Sequence, residues 1–204
     1  MLQHPATVRA GFEEAAETLL RVLRGVSPEQ WDQPNALGDL TTRELAAHAL
    51  RAFITVEAYL VADPLTERVL ADACEYYTTA LGDPAVHQGV IARARQAGRQ
   101  LSDPVGEAEV ICARVLALVA ASANDEPVNS FVGQITLIEY LATRVVELGV
   151  HTLDLARATG QHVEMHGDTA AVVLSVLTQL ASPVQLILAL SGRESLPDNY
   201  NVLG

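Results

Sequence analysis

The chain has 204 residues, half of them apolar, and a formal net charge of −12 at pH 7. This length and composition suffice for one buried core, so we predict a single domain over residues 1–204 in which residues 190–204 form a tail. The acidic balance argues against nucleic acid as a partner, because a phosphate backbone requires clustered lysine and arginine. It also argues against binding to an anionic membrane surface.

The sequence gives no sign of export or of membrane insertion. The first 20 residues carry acidic side chains where a secretion signal would be uninterrupted and apolar. No apolar run reaches the roughly 18 to 20 residues that span a bilayer. The two cysteines, Cys74 and Cys112, are isolated and lie outside any C-x-x-C spacing. We therefore predict a cytoplasmic protein with two ordinary buried thiols.

Apolar residues recur with helical spacing along nearly the whole chain. In chain order, the predicted helices cover residues 6–23, 41–62, 65–81, 85–101, 105–122, 140–160, 169–181 and 183–190. Residues 27–40 and 124–133 are predicted loops. We find no convincing strand, no repeat, no nucleotide-binding glycine motif and no G-x-S-x-G elbow. The sequence therefore predicts an all-α fold, a bundle of about four long helices with additional short ones.

The second predicted helix begins with a capping box, in which Thr41 accepts from the backbone of Glu44 and the Glu44 side chain reaches back to Thr41. His48 follows one turn later, on the apolar side of this helix. A lone histidine on such a face is more often a core residue than a ligand, and both interpretations stay open for His48.

The helix predicted over residues 140–160 carries a polar stripe on an otherwise apolar surface. Tyr140, Arg144, Glu147, His151 and Asp154 fall on that stripe at 3.6 residues per turn. Burying these groups without partners would be costly. Glu147 and His151 lie four residues apart, so one metal ion could bind both. A hydrogen-bonded pair without metal is the alternative.

Two segments together resemble a known family. TTRELAAHAL, with a tryptophan about a dozen residues upstream, and YLATRVVELGVHTLDLARATG, with its R-x-x-E-x-x-x-H-x-x-D run, are similar to the mycothiol-dependent maleylpyruvate isomerase N-terminal family. That family belongs to the DinB-like superfamily, so the resemblance implies a four-helix bundle with a metal ion at one end. Carried over by position, it implies that His48, Glu147 and His151 are the metal ligands.

The resemblance also implies a chemistry. Three protein ligands leave coordination positions open, as in catalytic sites. The donor set suits Zn²⁺ best, and Ni²⁺, Co²⁺ or Fe²⁺ are alternatives. Arg144 and Asp154 match the signature as candidate catalytic residues. We expect Asp154 to orient a ligand imidazole, and Arg144 either to pair with Glu147 or to hold an anionic group of a substrate. For both residues, a structural ion pair is the alternative.

The function implied is that of an S-transferase or isomerase that combines the metal with a small thiol, mycothiol, and acts on a small electrophilic substrate. The family's isomerase carries a further C-terminal domain, for which we find no room in these 204 residues. We therefore carry over the metal and the thiol rather than maleylpyruvate as substrate. Two other functions stay open, a hydrolase or lyase that uses metal-activated water and a non-catalytic metal-binding regulator. A homodimer is one candidate for the oligomeric state.

Overall fold

The computed structural model describes residues 3–34, 40–82, 84–165 and 167–203, with the side chains of all of these except 84–88. The described residues form eight α helices and a two-stranded sheet, which confirms the predicted all-α fold. In chain order the elements are α1 (Pro5–Arg24), α2 (Thr42–Val61), α3 (Ala73–Leu81), α4 (Pro84–Gln100), α5 (Pro104–Ala121), β1 (Pro127–Ser130), β2 (Gly133–Thr136), α6 (Leu137–Thr159), α7 (Gly167–Leu180) and α8 (Pro183–Leu190).

The helix α6 lies at the centre of the molecule. It packs against α1, α2, α3 and α7, and most of its residues are buried. The apolar faces of α1 and α2 also meet the core, where the rings of Phe12 and Phe53 lie 5.2 Å apart. Because α6 is surrounded by apolar helices, its polar stripe is held inside the bundle rather than in solvent.

The helix-end signals predicted from the sequence are present in the two helices that carry the predicted ligands. At the start of α2, the Glu44 backbone N–H donates to Thr41 Oγ1 at 3.2 Å, and the Thr41 N–H donates to the Glu44 carboxylate at 2.9 Å. Gly160 ends α6 in the left-handed conformation with φ of 68°, where glycine avoids the strain of a side chain. The described helices include none that is both long enough and apolar enough to cross a bilayer.

The prediction that the chain has no strand is wrong for residues 127–136, part of which falls in the predicted loop of residues 124–133. There β1 and β2 form an antiparallel hairpin in which Val128 pairs with Ile135. Both side chains are buried, so alternate residues of these short strands cover the core.

The helix predicted over residues 65–81 is also too long, because only Ala73–Leu81 is helical. The preceding segment pairs with the free edge of β2. Leu70 N–H donates to the Gln134 carbonyl and Gln134 N–H donates to the Arg68 carbonyl, both at 2.8 Å. Gly133 permits this approach, since a Cβ there would lie 2.9 Å from the Arg68 carbonyl oxygen. These sheet bonds satisfy backbone groups that a first helical turn would leave unpaired.

Candidate metal centre and its cleft

Two helices position the three predicted ligands. His48 comes from α2, whereas Glu147 and His151 come from adjacent turns of α6, which packs directly against α2. One potential ligand atom from each residue lies within 4.8 Å of the other two, and all three side chains are half-buried. Among the described residues this is the one group of three or more histidine, cysteine, aspartate or glutamate side chains placed to share a metal ion.

The histidine rings and the carboxylate are already oriented toward one another. The rings of His48 and His151 meet edge to face with centroids 4.7 Å apart. His151 Nε2 lies 3.4 Å from Glu147 Oε2. The Tyr77 hydroxyl lies within hydrogen-bond distance of the other carboxylate oxygen, Oε1, at 2.9 Å and of the Thr143 carbonyl at 3.0 Å, and it shares its proton between them. This contact holds Glu147 in place.

Asp154 holds His151 from the other side. Its Oδ2 lies 3.3 Å from His151 Nδ1, so the aspartate binds one ring nitrogen and leaves Nε2 directed at Glu147. This is the arrangement in which a carboxylate orients a metal-binding imidazole. The position of Asp154 thus suits the orienting role that the sequence suggested.

The charges of the three groups differ. Burial, reinforced by nearby His151, lowers the pKa of His48 to about 4, so its imidazole is neutral at pH 7. Burial alone would lower the pKa of His151, but hydrogen bonds to Asp154 and Glu147 raise it to about 9. Burial alone would raise the pKa of Glu147, but bonding to His151 and the charge of Arg144 lower it to about 2.

The donor set fits a divalent cation. His48 Nδ1 is buried with no hydrogen-bond partner among the described residues, an arrangement that is costly unless something else binds the nitrogen. His48 also offers the neutral form that metal binding requires, and two imidazole nitrogens with one carboxylate oxygen match known zinc sites. The assignment of these residues as metal ligands stays a prediction.

A cleft of about 570 Å³ opens beside the three residues. Its walls are largely apolar, with Ala80, Leu81, Val90, Ile91 and Leu203 among the lining side chains. None of its described lining residues is a serine, threonine, cysteine or lysine. A separate cleft of about 510 Å³ beside Glu14 and Thr152 includes none of the predicted ligands. The cleft at the three residues can therefore accept a small molecule but presents no usual protein nucleophile.

The cysteines do not change this conclusion. Cys112 is buried on α5, and burial raises its pKa to about 12. Cys74 is half-buried on α3, and its pKa is also raised by burial. A thiol reacts as its thiolate, so neither side chain is activated at neutral pH.

Arg144 does not form an ion pair with Glu147, which was one of the two alternative roles expected for it. No carboxylate of the described residues lies within 4.0 Å of its guanidinium nitrogens, and its Nε instead donates to Thr143 Oγ1 at 3.0 Å. The alternative of a structural ion pair at Arg144 is therefore wrong for the described part of the chain. A role in holding an anionic substrate group stays a proposal.

Several residues of the site were missed by the sequence reasoning. Arg51 lies one turn after His48 on α2, and helical spacing alone could have placed it beside that histidine. Tyr76 and Tyr77 line the cleft from α3, and Asn201 and Leu203 line it from the C-terminal segment. No spacing rule relates these two segments to α6, so the sequence carries no signal for them.

A comparison with protein families matches residues 12–156 to the mycothiol maleylpyruvate isomerase N-terminal domain. The matched region holds all three predicted ligands together with Arg144 and Asp154. The chain belongs to this family. Neither the curated proteins nor the solved structures contain a significant match. As a family member, the chain is related to proteins of mycothiol chemistry, and α7, α8 and the C-terminal segment follow the matched region.

Proposed function

We propose that this family member is a metal-dependent enzyme that uses a low-molecular-weight thiol, with mycothiol as the expected cosubstrate. It would act as an S-transferase or isomerase on a small electrophilic substrate. The observation that carries the proposal is the convergence of His48, Glu147 and His151 on a largely apolar cleft that lacks a protein nucleophile. An enzyme without its own nucleophile needs one from a cosubstrate.

Each residue has a definite task in this proposal. His48, Glu147 and His151 would hold a divalent cation, with Zn²⁺ the best match and Ni²⁺, Co²⁺ or Fe²⁺ the alternatives. A cation held there would lower the pKa of a bound thiol from its free value near 8.5. Asp154 orients His151, and Tyr77 fixes Glu147. The apolar walls of the cleft exclude water, which would compete with the thiol.

The proposed reaction balances without a further reactant. In the transfer, the thiol sulfur forms a bond to the electrophilic carbon, and the proton that the sulfur loses returns to the adduct. In the isomerisation, rotation within the adduct is followed by loss of that proton and cleavage of the same carbon–sulfur bond. The proton returns to the sulfur, and the thiol is released unchanged. The substrate is therefore a small molecule with an electrophilic carbon, such as an activated double bond.

The test is a thiol titration of protein purified without a histidine tag or chelator and analysed for metal. We expect mycothiol to bind the metal-loaded protein with release of about one proton, because only the deprotonated sulfur is a good ligand. Binding should weaken as the pH falls, since protons compete for that sulfur. Calorimetry in two buffers of different ionisation enthalpy counts the protons.

Two histidine variants provide the matched control. His151→Ala should abolish both metal and thiol binding, while alanine preserves the helix. His162→Ala should leave both unchanged, because the His162 side chain is 87 % exposed and lies outside the cleft. Metal-loaded protein that ignores mycothiol and other small thiols, yet hydrolyses an ester or amide, would instead support a metal-activated water. Metal binding without either activity would support a regulator.

A further inference from the structure

One wall of the cleft beside the predicted ligands is aliphatic. Ala80 and Leu81 come from the last turn of α3, and Val90 and Ile91 come from α4; we refer to these four residues as the α3–α4 wall. Leu81 and Val90 are half-buried and Ile91 is 48 % exposed, so the fold leaves part of this apolar surface uncovered. Single exposed aliphatic side chains are common, but a group of them inside a concave site is typical of a ligand-binding surface.

The α3–α4 wall begins one helical turn from the predicted metal centre. The Tyr77 hydroxyl lies 2.9 Å from a carboxylate oxygen of Glu147, and Ala80 and Leu81 follow Tyr77 by three and four residues on α3. Residues at these spacings are neighbours on one face of a helix. A molecule whose reacting carbon lies at the predicted ligands therefore has the α3–α4 wall within reach of its nearest substituent.

Polar side chains of the site lie apart from this wall. Thr55, Tyr59 and Tyr140 line a small chamber of about 80 Å³ that shares His48 and Glu147 with the cleft, and none of the wall residues lines that chamber. The side chains of the wall itself offer no hydrogen-bond donor or acceptor. Mycothiol is rich in hydroxyl groups, which would lose their hydrogen bonds to water at such a wall without replacement. The α3–α4 wall therefore suits the second substrate better than the thiol.

We infer that the α3–α4 wall binds a hydrocarbon group, aliphatic or aromatic, carried by the electrophilic substrate. The cleft has a volume of about 570 Å³, within the range of about 300 to 1,000 Å³ for sites of drug-sized ligands, so it has room for such a group beside the thiol. Removing apolar surface of both partners from water supplies the binding free energy. This inference rests on the proposed function and deepens it, because it narrows the substrate to an electrophile with an apolar side.

The test measures the binding of straight-chain primary alcohols, from butanol to octanol, to the protein as purified. These probes have neither a thiol nor an electrophilic carbon, and their common hydroxyl group makes any contact with a bound metal the same throughout the series. Each added methylene should tighten binding about fourfold until the cleft is full. In methyl NMR spectra, the signals of Leu81, Val90 and Ile91 should shift in a saturable way. The signal of Ile187, which is 65 % exposed on α8 outside the cleft, is the reference.

A pair of variants locates the binding surface. Ile91→Asn should weaken octanol binding about fivefold, the effect of losing a half-exposed isoleucine from the wall. Val110→Asn is the matched control and should leave octanol binding unchanged, because Val110 is 63 % exposed on α5 and lies outside the cleft. Mycothiol binding should be unchanged in both variants, because the thiol lies away from the wall.

Affinities that do not rise with chain length, or an equal loss of octanol binding in both variants, would overturn the inference. A loss of mycothiol binding in Ile91→Asn as large as its loss of octanol binding would also overturn it, because the wall would then contact the thiol. If Ile91→Asn does not fold, the chain-length series and the methyl signals of the unchanged protein decide. Chain-length-dependent binding in a protein whose metal form ignores thiols would refute the proposed function and leave the apolar site standing.

Discussion

At the residue scale, the chemistry of the centre depends on how Asp154 and Glu147 share His151. Each carboxylate faces a different ring nitrogen, at 3.3 Å and 3.4 Å respectively. Their negative charges raise the pKa of His151 to about 9, so in the metal-free protein the ring is protonated at pH 7. A metal ion must displace this proton, and the affinity for metal should therefore rise with pH until His151 is deprotonated.

Replacement of Asp154 by asparagine tests separately the two effects of this carboxylate on His151, its negative charge and its orientation of the imidazole ring. Removing the charge should lower the pKa of His151, so the rise of metal affinity with pH should level off at a lower pH than in the unchanged protein. Above pH 9, where protons no longer compete, the variant should bind metal about 10- to 100-fold more weakly, because it orients the imidazole less well. Competition with a chelator at several pH values measures both effects. An identical pH profile would show that Asp154 does not act on His151.

The residues of the site that the sequence could predict are those related by spacing within one helix. Glu147, His151 and Asp154 follow from the turns of α6, and His48 was linked to them through the resemblance of two motifs. Tyr77, which fixes Glu147, comes from α3, whose packing against α6 has no counterpart in any spacing rule. That Arg144 and Glu147 form no ion pair likewise depends on distances between side chains, which the sequence alone does not provide.

At the scale of the elements, the capping box of α2 supports the helix that carries His48. Thr41→Ala removes the oxygen that accepts the Glu44 N–H, and should lower the free energy of unfolding by about 1 kcal/mol. Thr136→Ala is a matched control, because Thr136 stands at the equivalent position before α6 but makes no capping bond. That variant should change stability by less than about 0.5 kcal/mol. Urea denaturation measures both, and equal losses would contradict the assigned role of Thr41.

The two elements that sequence reasoning misplaced have different physical causes. Helical spacing reports on which face of a segment is apolar, and that signal sufficed for the long helices. Residues 68–70 and the strand β2 are instead held by backbone bonds between segments about 65 residues apart, such as that from Leu70 to Gln134. Such long-range pairing leaves no local pattern, so residues 65–72 are predicted as helical. The hairpin is local, but its two strands have only four residues each, too few for the alternation of a strand to stand out.

At the scale of the whole molecule, the segment after the bundle returns to the cleft. Residues 191–203 lie outside the region matched by the family, yet Asn201 and Leu203 line the cleft beside the predicted ligands. The Tyr200 hydroxyl accepts a hydrogen bond from the Ser182 N–H at 3.2 Å, which ties the segment to the start of α8. The cleft of this chain is therefore partly built by residues that the family signature does not include.

Because the C-terminal segment lines the cleft but supplies none of the predicted ligands, we expect it to affect the binding of the thiol but not the binding of the metal. Leu203→Ala removes apolar surface from the wall and should weaken mycothiol binding about three- to tenfold, the equivalent of about 1 kcal/mol for a half-buried leucine. Metal affinity should not change, because all three predicted ligands lie on α2 and α6.

Leu196→Ala is the matched control, since Leu196 belongs to the same segment but is 38 % exposed and does not line the cleft. Calorimetric titration of each variant with metal, and then with thiol, separates the two affinities. Equal effects of the two leucine variants, or a loss of metal affinity in Leu203→Ala, would show that the segment supports the fold rather than the cleft.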